Sequence, residues 1–125
     1  MNGHTVRKFR LSDKFISQYE NKKVPWGPVG YVTYKRTYAR RLDERTPGAV
    51  GTEEWFQTCR RVIEGMFDMQ KQHVSHLGLE WNDAKAQKTA KEAYDRLFDL
   101  KWTPPGRGLW MMGTKFIEER TAAGL

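Results

Sequence analysis

One stretch, Trp55 to Phe67, limits the fold more than any other. Trp55, Cys59, Val62, Ile63, Met66 and Phe67 recur at the three- and four-residue steps of a single helical face. A stripe that broad must be buried, so the chain has to supply a surface to cover it. The natural partner is a second periodic segment, in which Asn82 reads as an N-cap and Ala86, Ala90, Ala93, Tyr94 and Leu97 share a face, predicting a helix over roughly 83–100. Small residues let two helices approach closely, and the two segments are predicted to pair. Gly65, inside the first helix, is less favourable there than Ala by about 1 kcal/mol, which predicts a close neighbouring helix at that point. Thr52 reads as the N-cap of the first helix, with Glu53 and Glu54 in its opening turn. Cys59 lies on the apolar face, where a buried, inert thiol is expected rather than a nucleophile.

Upstream, Ser12 reads as an N-cap with Asp13 in the first turn, and Phe15, Ile16 and Tyr19 give one apolar face, predicting a short helix over about 13–21. Lys22 and Lys23 end it, and Val24-Pro-Trp-Gly-Pro28 cannot continue it, with Trp26 expected as a packing plug. Residues 1–11 read as a polar arm, its Arg7, Lys8 and Arg10 facing solvent or a phosphate. Gly30 to Arg41 fits both periods: Tyr31, Tyr34 and Tyr38 suit a helix, while Val32, Tyr34 and Tyr38 also alternate. Ala39 and four basic residues favour the helix. Asp43 to Gly51 is a turn-rich linker. The sum is a mostly α, single helical domain over 1–125.

The net charge of +7 is unevenly placed: residues 1–47 carry 11 Lys/Arg against 4 Asp/Glu, and the rest of the chain balances at 11 against 11. A basic region of that kind suits nucleic acid, nucleotide phosphates or an acidic partner surface, without choosing among them. Tyrosines interleaved with Lys35, Arg36, Arg40 and Arg41 fit single-strand binding; they fit an amphipathic helix with solvated or salt-bridged charges better, because the array is short. His73 and His76 have a ligand-like spacing, but no further ligands stand at motif spacing, so no metal is assigned. One cysteine excludes a disulfide framework. No apolar run approaches the ~20 residues of a membrane span, and a cytoplasmic location is the default expectation.

A Pro/Gly-rich apolar turn occupies Trp102-Thr-Pro-Pro-Gly-Arg-Gly-Leu-Trp-Met-Met-Gly-Thr114. Its prolines and glycines forbid a regular helix, and its apolar content marks a turn that packs or lines a pocket. Arg107, between two glycines, either pairs with a carboxylate or meets a ligand across bare backbone. Lys115 to Arg120 is expected as a brief helix. There is no P-loop, and Gly106-Arg-Gly108 lacks the rest of a dinucleotide fingerprint.

Taken together and in order, Trp26-Gly with Tyr31-Val-Thr-Tyr-Lys-Arg-Thr-Tyr-Ala-Arg40, Trp55 with Thr58 and Arg61-Val-Ile-Glu-Gly65, Pro105-Gly-Arg-Gly-Leu-Trp110, and Gly113-Thr114 resemble the N-terminal region of the adenosylcobalamin-dependent (class II) ribonucleoside-triphosphate reductases. The resemblance runs from about Leu11 onward. It implies a helical segment that packs against a ten-stranded α/β barrel. The radical-forming cysteine, the redox pair, the catalytic glutamate and asparagine, the adenosylcobalamin contacts and the effector site lie beyond the matched region. The implied activity is radical reduction of ribonucleoside triphosphates to deoxyribonucleotides with a thioredoxin-type reductant, absent from this stretch alone. The stretch would then be a split-gene product, a segment upstream of an intein, or a truncated frame. Thr103-Pro104 resembles a turn that approaches the phosphate end of the substrate, and Pro105-Gly106-Arg107 continues it. Hydroxyl, bare N–H groups and guanidinium suit that task, while Arg107 bracing the turn against the barrel explains the same residues. The alternative is a free-standing basic helical module that binds nucleic acid or a partner protein.

Overall fold

The computed structural model describes residues 7–24, 26–104 and 112–114, and among these the regular structure is helical. Four α-helices follow in order: α1 (Asp13–Glu20), α2 (Pro28–Thr37), α3 (Trp55–His76) and α4 (Asp83–Phe98). A single 3-10 turn, Leu42–Glu44, lies between α2 and α3.

The predicted pair forms, with α4 packed against α3, and α1 also packs on α3. Cys59, Val62 and Ile63 of α3 and Ala90, Tyr94 and Leu97 of α4 are fully buried, each large apolar side chain contributing roughly 1.5–3 kcal/mol. Several polar tips are satisfied where they enter this core. Trp55 Nε1 donates to the Phe98 carbonyl at 3.0 Å, and the Tyr94 hydroxyl to the Phe56 carbonyl at 2.7 Å. The Tyr19 hydroxyl donates to Asp95 at 2.7 Å, and its ring meets Tyr94 edge-on at 4.7 Å. Trp26 does act as a plug, packing its ring against Trp55 at 4.6 Å and Tyr34 at 5.4 Å.

Helix ends follow local chemistry. Ser12 Oγ and Asn82 Oδ1 accept the amides of Phe15 and Lys85, as expected of N-caps. α3 and α4 both close with the pair of backbone bonds of a Schellman motif, Leu79 N–H to the Val74 carbonyl and Gly78 N–H to the Ser75 carbonyl in one, Lys101 to Arg96 and Leu100 to Leu97 in the other. The left-handed position is Gly78 at φ 72° in the first and Leu100 at φ 58° in the second.

Four expectations are corrected. The polar arm is not one over its described part: Phe9 and Leu11 are 1% and 2% exposed. Phe9 stacks on Phe67 at 5.2 Å, and the amides of Phe9 and Leu11 donate to Asp68 and Glu64 of α3. Thr52 does not cap α3. The chain pairs antiparallel at Arg41 and Thr52, so α3 starts later, with Glu54 as N-cap in a reciprocal box with Gln57. The helix expected over Gly30 to Arg41 starts earlier and ends at Thr37, because the Arg40 backbone is held by Glu53 on the other side of that pairing. The neighbour that Gly65 admits is no helix but the turn at Gly113, whose nitrogen would lie 2.6 Å from a Cβ at position 65. The brief helix at Lys115 to Arg120 lies outside the described residues.

Candidate functional site

The apolar face of α3 serves the core, and its opposite face is equally buried but polar. Thr58, Arg61, Glu64 and Asp68 line it, and all four are buried. Charged groups reach that degree of burial only when paired. Arg61, 1% exposed, forms a two-pronged pair with Glu53, Nε to Oε2 at 2.8 Å and Nη2 to Oε1 at 3.0 Å. Glu53 also accepts from the Thr58 hydroxyl and the Arg40 amide, both at 2.9 Å, and the Tyr34 hydroxyl closes the network on Thr58. The remaining reach of Arg61 goes to the far turn, where Nη1 donates to the Met112 carbonyl at 2.7 Å.

That turn is seated on α3 by absence of side chain. Gly113, at φ 77°, lies so close to Arg61 that a Cβ would meet the Arg61 carbonyl oxygen, with Arg61 Cγ 2.8 Å away. Thr114 is buried beside it. At its other end the Pro/Gly-rich segment is fastened by Trp102, whose Nε1 donates to the Ala93 carbonyl of α4 at 3.1 Å. Between these anchors Thr103 is exposed and Pro104 half-buried. Gly106 and Arg107 lie outside the described residues, so of the four substrate-site residues expected from the sequence the structure describes two.

Beside the seated turn opens a cleft of about 730 Å3, bounded by Lys8 and Arg10, by Arg40, Arg41 and Arg45 of the loop after α2, and by Arg61, Gly113 and Thr114. Asp43, Glu44 and Glu53 also line it. Much of the basic excess of the first third therefore converges on one concavity. Sequence reasoning missed this because Lys8 and Arg10 were placed on a free arm. Lys35 and the tyrosines do not join it. The Lys35 ammonium lies over the start of α3, 2.8 Å from the Glu53 carbonyl, and Tyr31 bonds Glu54 at 2.9 Å.

Cys59 is fully buried, and burial, with the nearby Glu53 charge adding, pushes its thiol well above the ordinary range. His73 and His76 are exposed, and among the described residues no three of His, Cys, Asp and Glu are grouped to hold a metal. Among the described residues no helix is long and apolar enough to cross a membrane.

Residues 11–114 match the ribonucleotide reductase alpha domain, and the chain belongs to that family. It is 40% identical over 118 residues to a probable adenosylcobalamin-dependent ribonucleoside-triphosphate reductase of Dictyostelium discoideum, covering 93% of this chain and 15% of that protein. The adenosylcobalamin-dependent ribonucleoside-triphosphate reductases of Euglena gracilis and Lactobacillus leichmannii are 35% and 36% identical, over 92% of this chain and 16% and 15% of theirs. A crystal structure of a B12-dependent (class II) ribonucleotide reductase superposes with a TM-score of 0.70 at 33% identity, over 87% of this chain and 15% of that one. The chain thus spans about 15% of the length of the relatives it matches.

Proposed function

We propose that the chain is the N-terminal portion of an adenosylcobalamin-dependent ribonucleoside-triphosphate reductase, which reduces ribonucleoside triphosphates to 2'-deoxyribonucleoside triphosphates only when joined to the rest of the enzyme. The observation that carries this is the agreement of sequence and fold over one shared region, 36–40% identity to two such reductases and a TM-score of 0.70 to a class II structure. Charged side chains dominate the described lining of the cleft, and in the reductases that the chain resembles the adenosylcobalamin contacts lie beyond the matched region. Adenosylcobalamin is therefore assigned to the remainder, and no chemical step is routed through it here. The remainder also supplies the barrel, the reacting thiols and the contact with a thioredoxin-type reductant, in the cytoplasm. Val29 and Val32 on α2, 81% and 53% exposed, support further protein covering this segment.

Within that reading, Thr103, Pro104, Gly106 and Arg107 form the edge that meets the triphosphate of the substrate. Trp102, beside Thr103, is held by the Ala93 carbonyl of α4, and Met112 and Gly113 are seated on α3. The reading gives the chain no sequence-specific nucleic-acid role, since Tyr34 is buried and Tyr31 bonds Glu54.

A chimera tests both parts. This chain replaces the matching region of the Lactobacillus leichmannii enzyme, and deoxynucleotide formation is measured with adenosylcobalamin, a dithiol and a ribonucleoside triphosphate. The chimera is expected to turn over and the chain alone to be inactive; a folded, cofactor-binding chimera without turnover overturns the assignment. In the active chimera, Arg107→Ala is expected to raise KM for the triphosphate while leaving Tm nearly unchanged. A lower Tm at constant KM would make Arg107 a brace of the turn.

A further inference from the structure

We infer that the cleft between the 7–11 segment, the loop after α2 and the Gly113 turn is a binding site for an oligophosphate anion, recognised by its phosphates and not by a base. Six cationic side chains line it against three carboxylates among the described residues. Its volume of about 730 Å3 falls within the roughly 300–1,000 Å3 of small-molecule sites.

Arg10 donates through Nη1 to the Phe9 carbonyl at 2.7 Å, but neither it nor Arg45 has a close carboxylate partner. Arg10 and Arg45 approach one carboxylate, Glu64, at 3.9 and 3.4 Å. Both distances exceed the ~2.7–2.9 Å of a charge-assisted hydrogen bond. Glu64 is 1% exposed and already accepts from Arg60 Nε and the Leu11 amide, both at 2.9 Å, so it can neutralise neither of the other two fully. Arg41, 73% exposed, pairs at 2.6 Å with Asp43 on its own loop. Exposed pairs of that kind contribute about 0–1 kcal/mol and exchange readily for a better acceptor. Three forked donors around a concave, net-positive cleft suit the terminal oxygens of a phosphate chain.

The described lining favours a phosphate chain over nucleic acid: among the described residues it includes no aromatic side chain, whereas single strands are held by bases stacked on aromatic platforms. Among the described residues neither Thr103 nor Pro104 lines it, whereas Gly113 and Thr114 do, and the proposed site rests on the cleft's own cations.

The test is calorimetric titration of the chain itself at low salt with inorganic triphosphate, then with a purine and a pyrimidine nucleoside triphosphate. All three are expected to bind alike, and Arg10→Ala and Arg45→Ala each to weaken binding roughly tenfold, as loss of a charge-assisted contact implies. Arg41→Ala, at the most exposed of the three, is expected to weaken it less and keeps the test open if another variant fails to fold. Arg36→Ala, on α2 outside the cleft, is expected to leave affinity unchanged, and thermal melts establish that each variant is folded. Three results each overturn the site: triphosphate binding that survives Arg45→Ala in a folded chain, equal weakening by Arg36→Ala, or a single-stranded oligonucleotide bound more tightly than triphosphate. An inactive chimera would leave this result untouched, because only binding to the present chain is read.

Discussion

At the scale of the residue, Glu53 and Gly113 carry more than their size. Glu53→Ala would remove the carboxylate paired with Arg61 and the acceptor of the Thr58 hydroxyl and Arg40 amide. Breaking a buried pair in this way costs roughly 3–5 kcal/mol, and chemical denaturation should show that loss. Gly65→Ala sets two effects against each other. Helix propensity favours Ala by about 1 kcal/mol, but the new Cβ would lie 2.6 Å from the Gly113 nitrogen, a backbone atom with no flexible end to swing aside. The turn is expected to lift off α3, read as faster amide exchange at Met112 to Thr114 beside unchanged exchange in α4. Slower or equal exchange there would show that the turn is not seated by this contact. Cys59 gives the opposite case: its buried thiol should stay unreactive to a disulfide reagent in the native chain and react on unfolding.

Among the elements, α4 carries the most improvable feature. Its Schellman end places Leu100 at φ 58°, where a side chain with a Cβ is disfavoured by roughly 1–2 kcal/mol. Leu100→Gly sets relief of that strain against the loss of a side chain that is 37% exposed, and relief of the strain is expected to raise Tm. A lower Tm would mean that its remaining contacts outweigh the strain. The elements were also where the sequence was most readable. The apolar stripe of α3, the small-residue face of α4 and the caps at Ser12 and Asn82 all have local signatures, and the helices stand where those signatures fall. What was not legible is the second face of α3. Thr58, Arg61, Glu64 and Asp68 recur at helical spacing too, but charged residues so spaced ordinarily mark a solvated side. Their partners, such as the Phe9 and Leu11 amides, lie 59 and 53 residues away, with no local signal. The Thr103–Arg107 edge was legible only through resemblance; composition left Arg107 open between brace and ligand.

For the whole molecule, the buried tyrosines set a limit on alkaline stability. Burial foremost raises the hydroxyls of Tyr19, Tyr34 and Tyr94 above their ordinary value of 10.0; Asp95 adds to this for Tyr19. The folded state then keeps protons that the unfolded chain releases. Their share of the stability is fully present below about pH 10 and falls as pH rises beyond it. Urea midpoints should begin to fall above about pH 8.5, where the unfolded Cys59 thiol ionises and the buried one does not, and drop further by pH 11 as the tyrosines follow; a flat profile would contradict the burial of these groups. The capture of Phe9 and Leu11 by α3 has a consequence in time. A ribosome makes that apolar segment early, yet the carboxylates that receive it belong to Glu64 and Asp68, and Gln87 of α4 bonds the Arg10 carbonyl between them. At ~5–20 residues per second of synthesis, the segment waits on the order of ten seconds without its binding groove. The first described stretch to leave the ribosome is thus among the last to find its place, and for that interval it is a natural client for a chaperone.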